Sequence, residues 1–211
     1  MLKIHEIFST IQGEGYDTGI PCTFVRLWGC NLKCDYCDQP QSKEDLKKMS
    51  VGKVVDEIRK LRVHNVCITG GEPLVQEEVY ALVYELVSLN YNVSIETNGS
   101  IEIPDTQRRS YKYVMDIKCP SSGVMVANRY ENLEVLHPSD EVKFVIANRD
   151  DYDFMKRILR KYPTKAKVLL SPMFDLENNK QTIGRELCEW VLKDRLNARI
   201  QIQMHKILGV L

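Results

Sequence analysis

No run of about 18 consecutive apolar residues occurs in the 211-residue chain, so we expect no membrane-spanning helix. The opening residues 1–6 lack the long apolar core of a secretory signal peptide. No charge sign is in excess either, because 29 Lys and Arg balance 29 Asp and Glu. Proteins that bind nucleic acid or anionic membranes usually carry a basic excess, so neither partner is predicted.

A disulfide framework is not predicted. The seven cysteines are an odd number, and the chain is long enough to bury a hydrophobic core without covalent cross-links. Three of them, Cys30, Cys34 and Cys37, fall within eight residues. Such a cluster is typical of a metal site in a reducing compartment, so we expect a cytoplasmic protein.

Internal repeats, low-complexity segments and linkers are also absent, so a single domain spanning residues 1–211 is expected. Short β-branched runs alternate with helical patterns along the chain. The predicted strands are residues 23–27, 65–69, 93–96, 113–117, 142–146, 167–170 and 199–203. The predicted helices are residues 51–61 with Ser50 as N-cap, 76–89, 151–161 with Asp150 as the candidate cap, and 185–196.

Repeated strand–helix units imply parallel strands joined by right-handed crossovers. Seven predicted strands in 211 residues fall short of a complete (β/α)₈ barrel, which takes about 250 residues. The predicted fold class is therefore α/β, an incomplete parallel β/α barrel, with an open sheet as the alternative. Residues 98–110 and 121–140 are predicted to be loops.

The segment 29–37, Gly-Cys-Asn-Leu-Lys-Cys-Asp-Tyr-Cys, indicates the chemistry. Three thiolates at these spacings can hold one [4Fe–4S] cluster from a single loop, and three ligands for four irons leave one iron open. An open iron predicts a reaction centre. From the residues alone two alternatives remain: a zinc site completed by Cys22, Cys119 or a histidine, and buried structural cysteines.

This cysteine motif resembles that of the radical S-adenosylmethionine superfamily, in which Cys-x3-Cys-x2-Cys follows the first strand of a partial α/β barrel. Residues 69–73, Thr-Gly-Gly-Glu-Pro, resemble the superfamily's Gly-Gly-Glu-Pro motif. Two glycines let a ligand approach the backbone closely, and Glu72 offers a carboxylate to the amino group of methionine. By itself the same segment would also fit an ordinary strand-to-helix turn.

The resemblance implies a [4Fe–4S] cluster on the three loop cysteines that binds and cleaves S-adenosylmethionine, giving a 5′-deoxyadenosyl radical. Contacts to S-adenosylmethionine are expected at the ends of strands, although ordinary strand termination explains the same residues. These expected contacts are Tyr36, Gly71, Glu72, Thr97, Asn98, Asp116 and Lys118.

Flanking motifs resemble one family within the superfamily. Residues 6–15, 19–21, 24–30 and 203–208 are similar to the 7-carboxy-7-deazaguanine synthase family, and the likeness covers nearly the whole chain. It implies conversion of 6-carboxy-5,6,7,8-tetrahydropterin to 7-carboxy-7-deazaguanine, with loss of ammonia, on the route to queuosine-type nucleosides. It also implies an electron donor such as flavodoxin or ferredoxin, and a homodimer.

The same resemblance predicts the contacts to the pterin substrate. Glu14 can accept hydrogen bonds from the amino-pyrimidine edge, Gln12 can donate and accept, and Arg26 can bind an anionic group through two hydrogen bonds. The other expected contacts are Gly15, His205 and the terminal residue Leu211, through its carboxylate. Without the resemblance, a solvated turn would explain Gln12 and Glu14, and a lone histidine is more often structural.

The family commonly places Thr or Ser two residues after the third cysteine, where the hydroxyl binds a Mg²⁺ ion that also holds the substrate carboxylate. Here Cys37 is followed by Asp38 and Gln39. Side-chain amide and carboxylate oxygens can both ligate Mg²⁺. Gln39 is therefore the candidate Mg²⁺ ligand, in a geometry that differs from the family's.

Two other functions stay open at this point. A glycyl-radical activating enzyme would share Gly29-Cys30-Asn31 and the cluster but acts on a large protein, and residues 12–15 and 205–206 argue against it. A non-enzymatic zinc-binding module is the other alternative.

Overall fold

The computed structural model describes residues 1–37, 39, 46–106, 109–175, 180–181 and 183–210. The chain divides into two compact units. The first comprises Met1–Thr97, Thr106–Val114 and Met204–Leu211, and the second comprises Asn98–Asp105 and Met115–Gln203. The single domain expected from the sequence stays a prediction. Within the described residues, no helix has the length and apolar character needed to cross a membrane.

Five strands of the first unit lie side by side in the order β3-β1-β2-β4-β5. β1 (Leu2–Ile11) runs antiparallel to β2 (Pro21–Leu27) on one side and to β3 (Lys47–Met49) on the other. β2, β4 (Asn65–Gly70) and β5 (Asn92–Thr97) run parallel. Because the carboxyl ends of parallel strands meet at one edge, the segments after β2, β4 and β5 lie at the same edge of this unit.

Helices α1 (Val51–Leu61) and α2 (Val79–Ser88) connect the parallel strands. α1 begins at the predicted cap, where Ser50 Oγ accepts a hydrogen bond from Lys53 N at 3.4 Å. α2 begins later than predicted because residues 76–78 form a turn, in which Val79 N donates to Gln76 O at 3.0 Å. The inward face of α2 is fully buried, and each such apolar side chain contributes about 1.5–3 kcal/mol to folding. That face consists of Val79, Leu82, Val83 and Leu86.

β6 (Tyr111–Ile117) contributes its first four residues to the first unit and its last three to the second. The second unit contains β7 (Glu141–Ile146), β8 (Lys167–Pro172) and β11 (Arg199–Ile200), which are parallel in the order β7-β8-β11. β9 (Phe174–Asp175) and β10 (Lys180–Gln181) form a separate antiparallel pair.

The remaining helices are α3 (Asn132–Val135), α4 (Arg149–Lys161), α5 (Gly184–Asp194) and α6 (Met204–Leu208). α4 begins two residues before the predicted start, and Asp150 is not its cap. Asn148 caps the helix instead, because its Oδ1 accepts a hydrogen bond from Asp151 N at 3.1 Å.

Each predicted strand is present, with shifted ends, but β1 and β3 at one side of the sheet and the separate pair β9 and β10 were missed. β1 alternates apolar and polar residues only over residues 2–5, and most of the strand beyond them is half-buried, so its pattern is short. β3 is a three-residue edge strand whose two lysines are exposed. The last strand stops at Ile200 rather than at residue 203, and the predicted loop 121–140 contains α3.

Asn132 fastens the loop that follows β5 in the second unit. Its Nδ2 donates hydrogen bonds to Gly99 O at 3.1 Å and Ile101 O at 2.8 Å, and its Oδ1 accepts one from Ile103 N at 3.0 Å. The side chain is only 2% exposed. Water therefore cannot readily replace it as a partner of these three backbone groups.

We expect Asn132→Ala to lower the free energy of unfolding by about 2–4 kcal/mol, because it leaves buried backbone groups without partners. Urea titration followed by circular dichroism measures the change. The control is Asn197→Ala at an exposed position, where a change within about 0.5 kcal/mol is expected. Equal effects of the two substitutions would contradict this role of Asn132.

Candidate active site

The three clustered cysteines lie in the loop that leaves β2 in the first unit. Cys30 and Cys37 are exposed and Cys34 is partly exposed. Leu32 N donates a hydrogen bond to Cys30 Sγ at 3.4 Å, and Cys37 N donates one to Cys34 O at 3.3 Å. A thiolate is the form that binds iron, and backbone donors to the sulfur stabilise it. The loop therefore offers accessible sulfurs that suit a cluster.

Cys22 and Cys119, which could complete a zinc site with the loop cysteines, are less accessible than those cysteines. Cys22 and Cys119 are buried, as is Cys67. Burial raises the pKa of the Cys22 thiol to about 12 and the pKa values of Cys67 and Cys119 well above their usual range. Burial thus disfavours the thiolate form that binds zinc, and it distinguishes Cys22 and Cys119 from the accessible loop cysteines.

In the part of the chain that the structure describes, no three His, Cys, Asp or Glu side chains are gathered around one point as a single metal ion requires. A cubane cluster binds one thiolate at each of several irons, so its cysteines need not converge on one point. The loop is thus compatible with a cluster in which each sulfur binds a different iron.

The two glycines after β4 pack directly against the start of the cysteine loop. Gly70 has φ +117°, and a Cβ at Gly71 would lie 1.8 Å from Gly29 O. Gly71 N donates to Leu27 O at 3.0 Å, and Glu72 N donates to Gly29 O at 2.9 Å. Position 71 therefore has no space for a side chain, and the turn is hydrogen-bonded to the residue before Cys30.

Glu72 follows these glycines and is completely buried. Its Oε1 accepts hydrogen bonds from Thr97 Oγ1 at 2.8 Å and from Leu74 N at 2.9 Å. The structure thus brings together two residues that the sequence predicted as contacts to S-adenosylmethionine. A buried carboxylate held by two donors has a fixed orientation and can accept further hydrogen bonds.

Gln12 meets Glu96, which was not predicted as a site residue. Gln12 Nε2 donates to Glu96 Oε1 at 3.4 Å, and Thr69 Oγ1 donates to Glu96 Oε2 at 2.8 Å. Glu14 N donates to Gln12 Oε1 at 3.1 Å, which fixes the other end of the amide. The available signal for Glu96 was a carboxylate near the carboxyl end of a predicted strand.

The C-terminal segment of the first unit lies against the Gln12–Glu14 segment. Met204 N donates to Gly13 O at 3.0 Å, and a Cβ at Gly13 would lie 2.0 Å from His205 Nδ1. His205 therefore lies against Gly13, between the predicted substrate contacts Gln12 and Glu14, and its own contact with the substrate stays a prediction. Gly15 is buried with φ +75°. Leu211 lies outside the described residues.

Arg26 is held in place by two neighbours on β1. Its Nη1 forms an ion pair with Glu6 Oε1, and its guanidinium carbon lies 5.1 Å from the centroid of the Phe8 ring. The Phe8 ring in turn stacks on Phe24 at a centroid distance of 5.5 Å. The arginine is half-buried and oriented, and its two-point contact with the substrate stays a prediction.

Asp116 and Lys118 form an ion pair in the second unit, with Lys118 Nζ 2.9 Å from Asp116 Oδ2. Lys143 Nζ lies 3.8 Å from the same oxygen. This third charge was not predicted, because it comes from the next strand. Asn98 Oδ1 accepts from Ser100 N at 3.0 Å, so Asn98 shapes the turn after β5.

Tyr36 and Gln39, in or just after the cysteine loop, were predicted to contact a cofactor and Mg²⁺. Tyr36 is half-buried, between two of the cysteines. Gln39 is half-buried, and Asp38 lies outside the described residues. Contact of Tyr36 with a cofactor and of Gln39 with Mg²⁺ both stay predictions.

Comparison with known proteins places these features in a family. Residues 28–181 match the sequence model of the Radical SAM superfamily. The 7-carboxy-7-deazaguanine synthase of Methanospirillum hungatei is 40% identical to this chain. The match covers 99% of this chain and 86% of the Methanospirillum protein. The protein of the same name from Koribacter versatilis is 39% identical, with 98% and 96% covered.

A solved structure shares the fold. The crystal structure of QueE from Escherichia coli matches with a TM-score of 0.75 at 24% identity, over 97% of this chain and 94% of that one. Together with the parallel strands of each unit, this likeness confirms the predicted α/β fold class, an incomplete β/α barrel.

We expect Gly71→Ala to abolish most cluster binding, because the new methyl group collides with backbone rather than with a flexible side chain. Iron content and visible absorbance after anaerobic reconstitution measure the loss. Gly52→Ala is the matched control, since a Cβ there meets nothing within 4 Å. Normal iron content in Gly71→Ala would show that the turn can move away from the cysteine loop.

Proposed function

The chain belongs to the 7-carboxy-7-deazaguanine synthase family of radical S-adenosylmethionine enzymes, and from this premise we propose that it converts 6-carboxy-5,6,7,8-tetrahydropterin to 7-carboxy-7-deazaguanine with loss of ammonia. The observation that carries the proposal is the pair of hydrogen bonds that join the end of β2 and the start of the cysteine loop to the turn bearing buried Glu72. These bonds place a cluster-binding loop beside a carboxylate suited to an amino group.

Cys30, Cys34 and Cys37 would hold the [4Fe–4S] cluster. The cluster and S-adenosylmethionine, when bound, supply the one-electron chemistry that starts the reaction. The chain's own task is to bind and orient. Glu72, fixed by Thr97, accepts hydrogen bonds from the amino group of the cofactor.

In the second unit, Asp116, Lys118 and Asn98 offer one carboxylate, one ammonium and one amide. Asp116 and Lys118 are suited to polar groups of S-adenosylmethionine, namely its ribose hydroxyls and its carboxylate. The remaining proposed contact is Tyr36, whose ring suits the adenine.

The substrate carries hydrogen-bond donors on its amino-pyrimidine edge and a carboxylate at its other end. Glu14 accepts from the pyrimidine edge, and Gln12, held by Glu14 N and Glu96, presents an oriented amide. Arg26 binds the anionic group, because Glu6 and Phe8 already hold its guanidinium in one orientation. Gly15, His205 and Leu211 complete the proposed set.

Further elements of the proposal come from the family likeness. Mg²⁺ would be held by Gln39 together with the substrate carboxylate. An electron carrier such as flavodoxin or ferredoxin would reduce the cluster, and the protein would act as a cytoplasmic homodimer. A glycyl-radical activating enzyme is the less supported function, because the likeness to the synthases extends over nearly the whole chain.

We expect the anaerobically reconstituted protein to form 7-carboxy-7-deazaguanine from the carboxy-tetrahydropterin with S-adenosylmethionine, a reductant and Mg²⁺, and to lose this activity on Cys34→Ala. Product mass measures the reaction. The control is Cys188→Ala, an exposed cysteine on α5, which should retain full activity. Release of 5′-deoxyadenosine without product would keep the superfamily chemistry and reject the substrate.

We expect removal of Mg²⁺ to lower the rate, and Gln39→Ala to raise the Mg²⁺ concentration for half-maximal rate by about 10-fold, because a ligand oxygen is lost. Titration of the rate with Mg²⁺ measures both effects. Lys33→Ala, exposed in the same loop, is the control. An unchanged Mg²⁺ requirement in Gln39→Ala would assign the ion to other ligands.

A further inference from the structure

Three consecutive carbonyl groups lead from β2 to Cys30, and all three accept hydrogen bonds from one short segment. Leu27 O accepts from Gly71 N at 3.0 Å and Gly29 O accepts from Glu72 N at 2.9 Å. Trp28 O, between them, accepts from Gln76 Nε2 at 3.2 Å. The outer two donors are backbone groups, whereas the donor to Trp28 is a side chain and can be changed by substitution.

The amide of Gln76 also binds both backbone groups of Lys3 in β1. Its Oε1 accepts from Lys3 N at 2.8 Å, and its Nε2 donates to Lys3 O at 3.0 Å. Lys3 O accepts in addition from Trp28 N at 2.8 Å. Gln76, Lys3 and Trp28 therefore form a closed network, and its pattern requires one group that both donates and accepts.

Gln76 is itself held close to Glu72. The segment between them is the 3-10 turn Pro73–Val75, in which Glu72 Oε1 accepts from Leu74 N. Gln76 N donates to Pro73 O at 3.1 Å, and Gln76 O accepts from Val79 N at 3.0 Å at the start of α2. The amide thus extends from a backbone that is fixed on both sides.

We propose that Gln76 is a positioning residue that fixes Trp28, and through it Cys30, relative to the carboxylate of Glu72. The inference rests on the proposed function, which assigns Cys30 to the cluster and Glu72 to S-adenosylmethionine. When a supporting contact is lost and two bound groups can shift by about 1 Å, the rate of the reaction between them falls steeply. Gln76 acts in this way without touching either cofactor.

The first test uses the protein without cluster. Gln76→Glu keeps the size of the side chain but replaces the amide donor with a carboxylate, which repels the carbonyls of Trp28 and Lys3. We expect amide hydrogen exchange in peptides covering residues 27–30 and 71–72 to accelerate about 10-fold. Glu77→Gln, exposed at the next position, is the control and should leave exchange unchanged.

The second test measures cleavage of S-adenosylmethionine per intact cluster, without pterin. We expect Gln76→Glu to lower kcat about 10-fold, with a smaller change in KM, since placement of the reacting groups is disturbed. Gln76→Lys restores donors to the two carbonyls and should recover part of kcat.

A purely structural role predicts another pattern, in which Gln76→Glu loses iron or thermal stability but each remaining cluster reacts at the normal rate. That pattern, or unchanged exchange in residues 27–30, would overturn the proposal. Assays of the wild-type protein distinguish failure of the positioning role from failure of the proposed function. If it cleaves S-adenosylmethionine yet makes no deazaguanine, the substrate assignment fails while the effect of Gln76 on cleavage still decides the positioning role.

Discussion

The contact between Gly71 and the Gly29 carbonyl is the constraint on which the candidate site depends. A Cβ at position 71 would overlap that carbonyl at 1.8 Å, so the ends of β2 and β4 can approach only because no side chain intervenes. This approach allows Glu72 N to reach Gly29 O at 2.9 Å. One glycine thereby sets the separation between the cysteine loop and the buried carboxylate.

Burial of Glu72 is the second requirement, and it is costly by itself. An ionised carboxylate removed from water is destabilising unless donors replace its hydration. Thr97 Oγ1 and Leu74 N provide two such donors to Oε1. Both also fix the orientation of the carboxylate, so the groups that offset the cost of burial are those that prepare it for a ligand.

Local patterns in the sequence were sufficient for the cysteine loop, the Gly-Gly-Glu-Pro turn and the Ser50 cap, because each depends on residues close together in the chain. The missed features depend on partners far away. β3 contains two exposed lysines and is a strand only because it pairs with β1. Glu96 and Lys143 become site residues through side chains on neighbouring strands, at positions that only the register of pairing determines.

Gln76 illustrates the same limit most clearly. Its sequence neighbourhood predicts the start of a helix, and a polar residue there is ordinary. The three hydrogen bonds of its side-chain amide go to Lys3 and Trp28, which are 73 and 48 residues away. A sequence window the length of a helix does not include these distant partners. Once β2 and β4 pair, the backbone hydrogen bonds of residues 71 and 72 bring the segment that contains Gln76 next to Trp28.

Each unit contains an ion pair that the net charge of the chain, which is zero, does not reveal. Arg26 with Glu6 and Lys118 with Asp116 are half-buried to nearly buried. Pairs of this kind contribute little net stability, because desolvation offsets much of the attraction. Their effect is to hold each cation in one orientation before a ligand binds, which reduces the entropy lost on binding. These ion pairs therefore orient the Arg26 and Lys118 side chains more than they stabilise the fold.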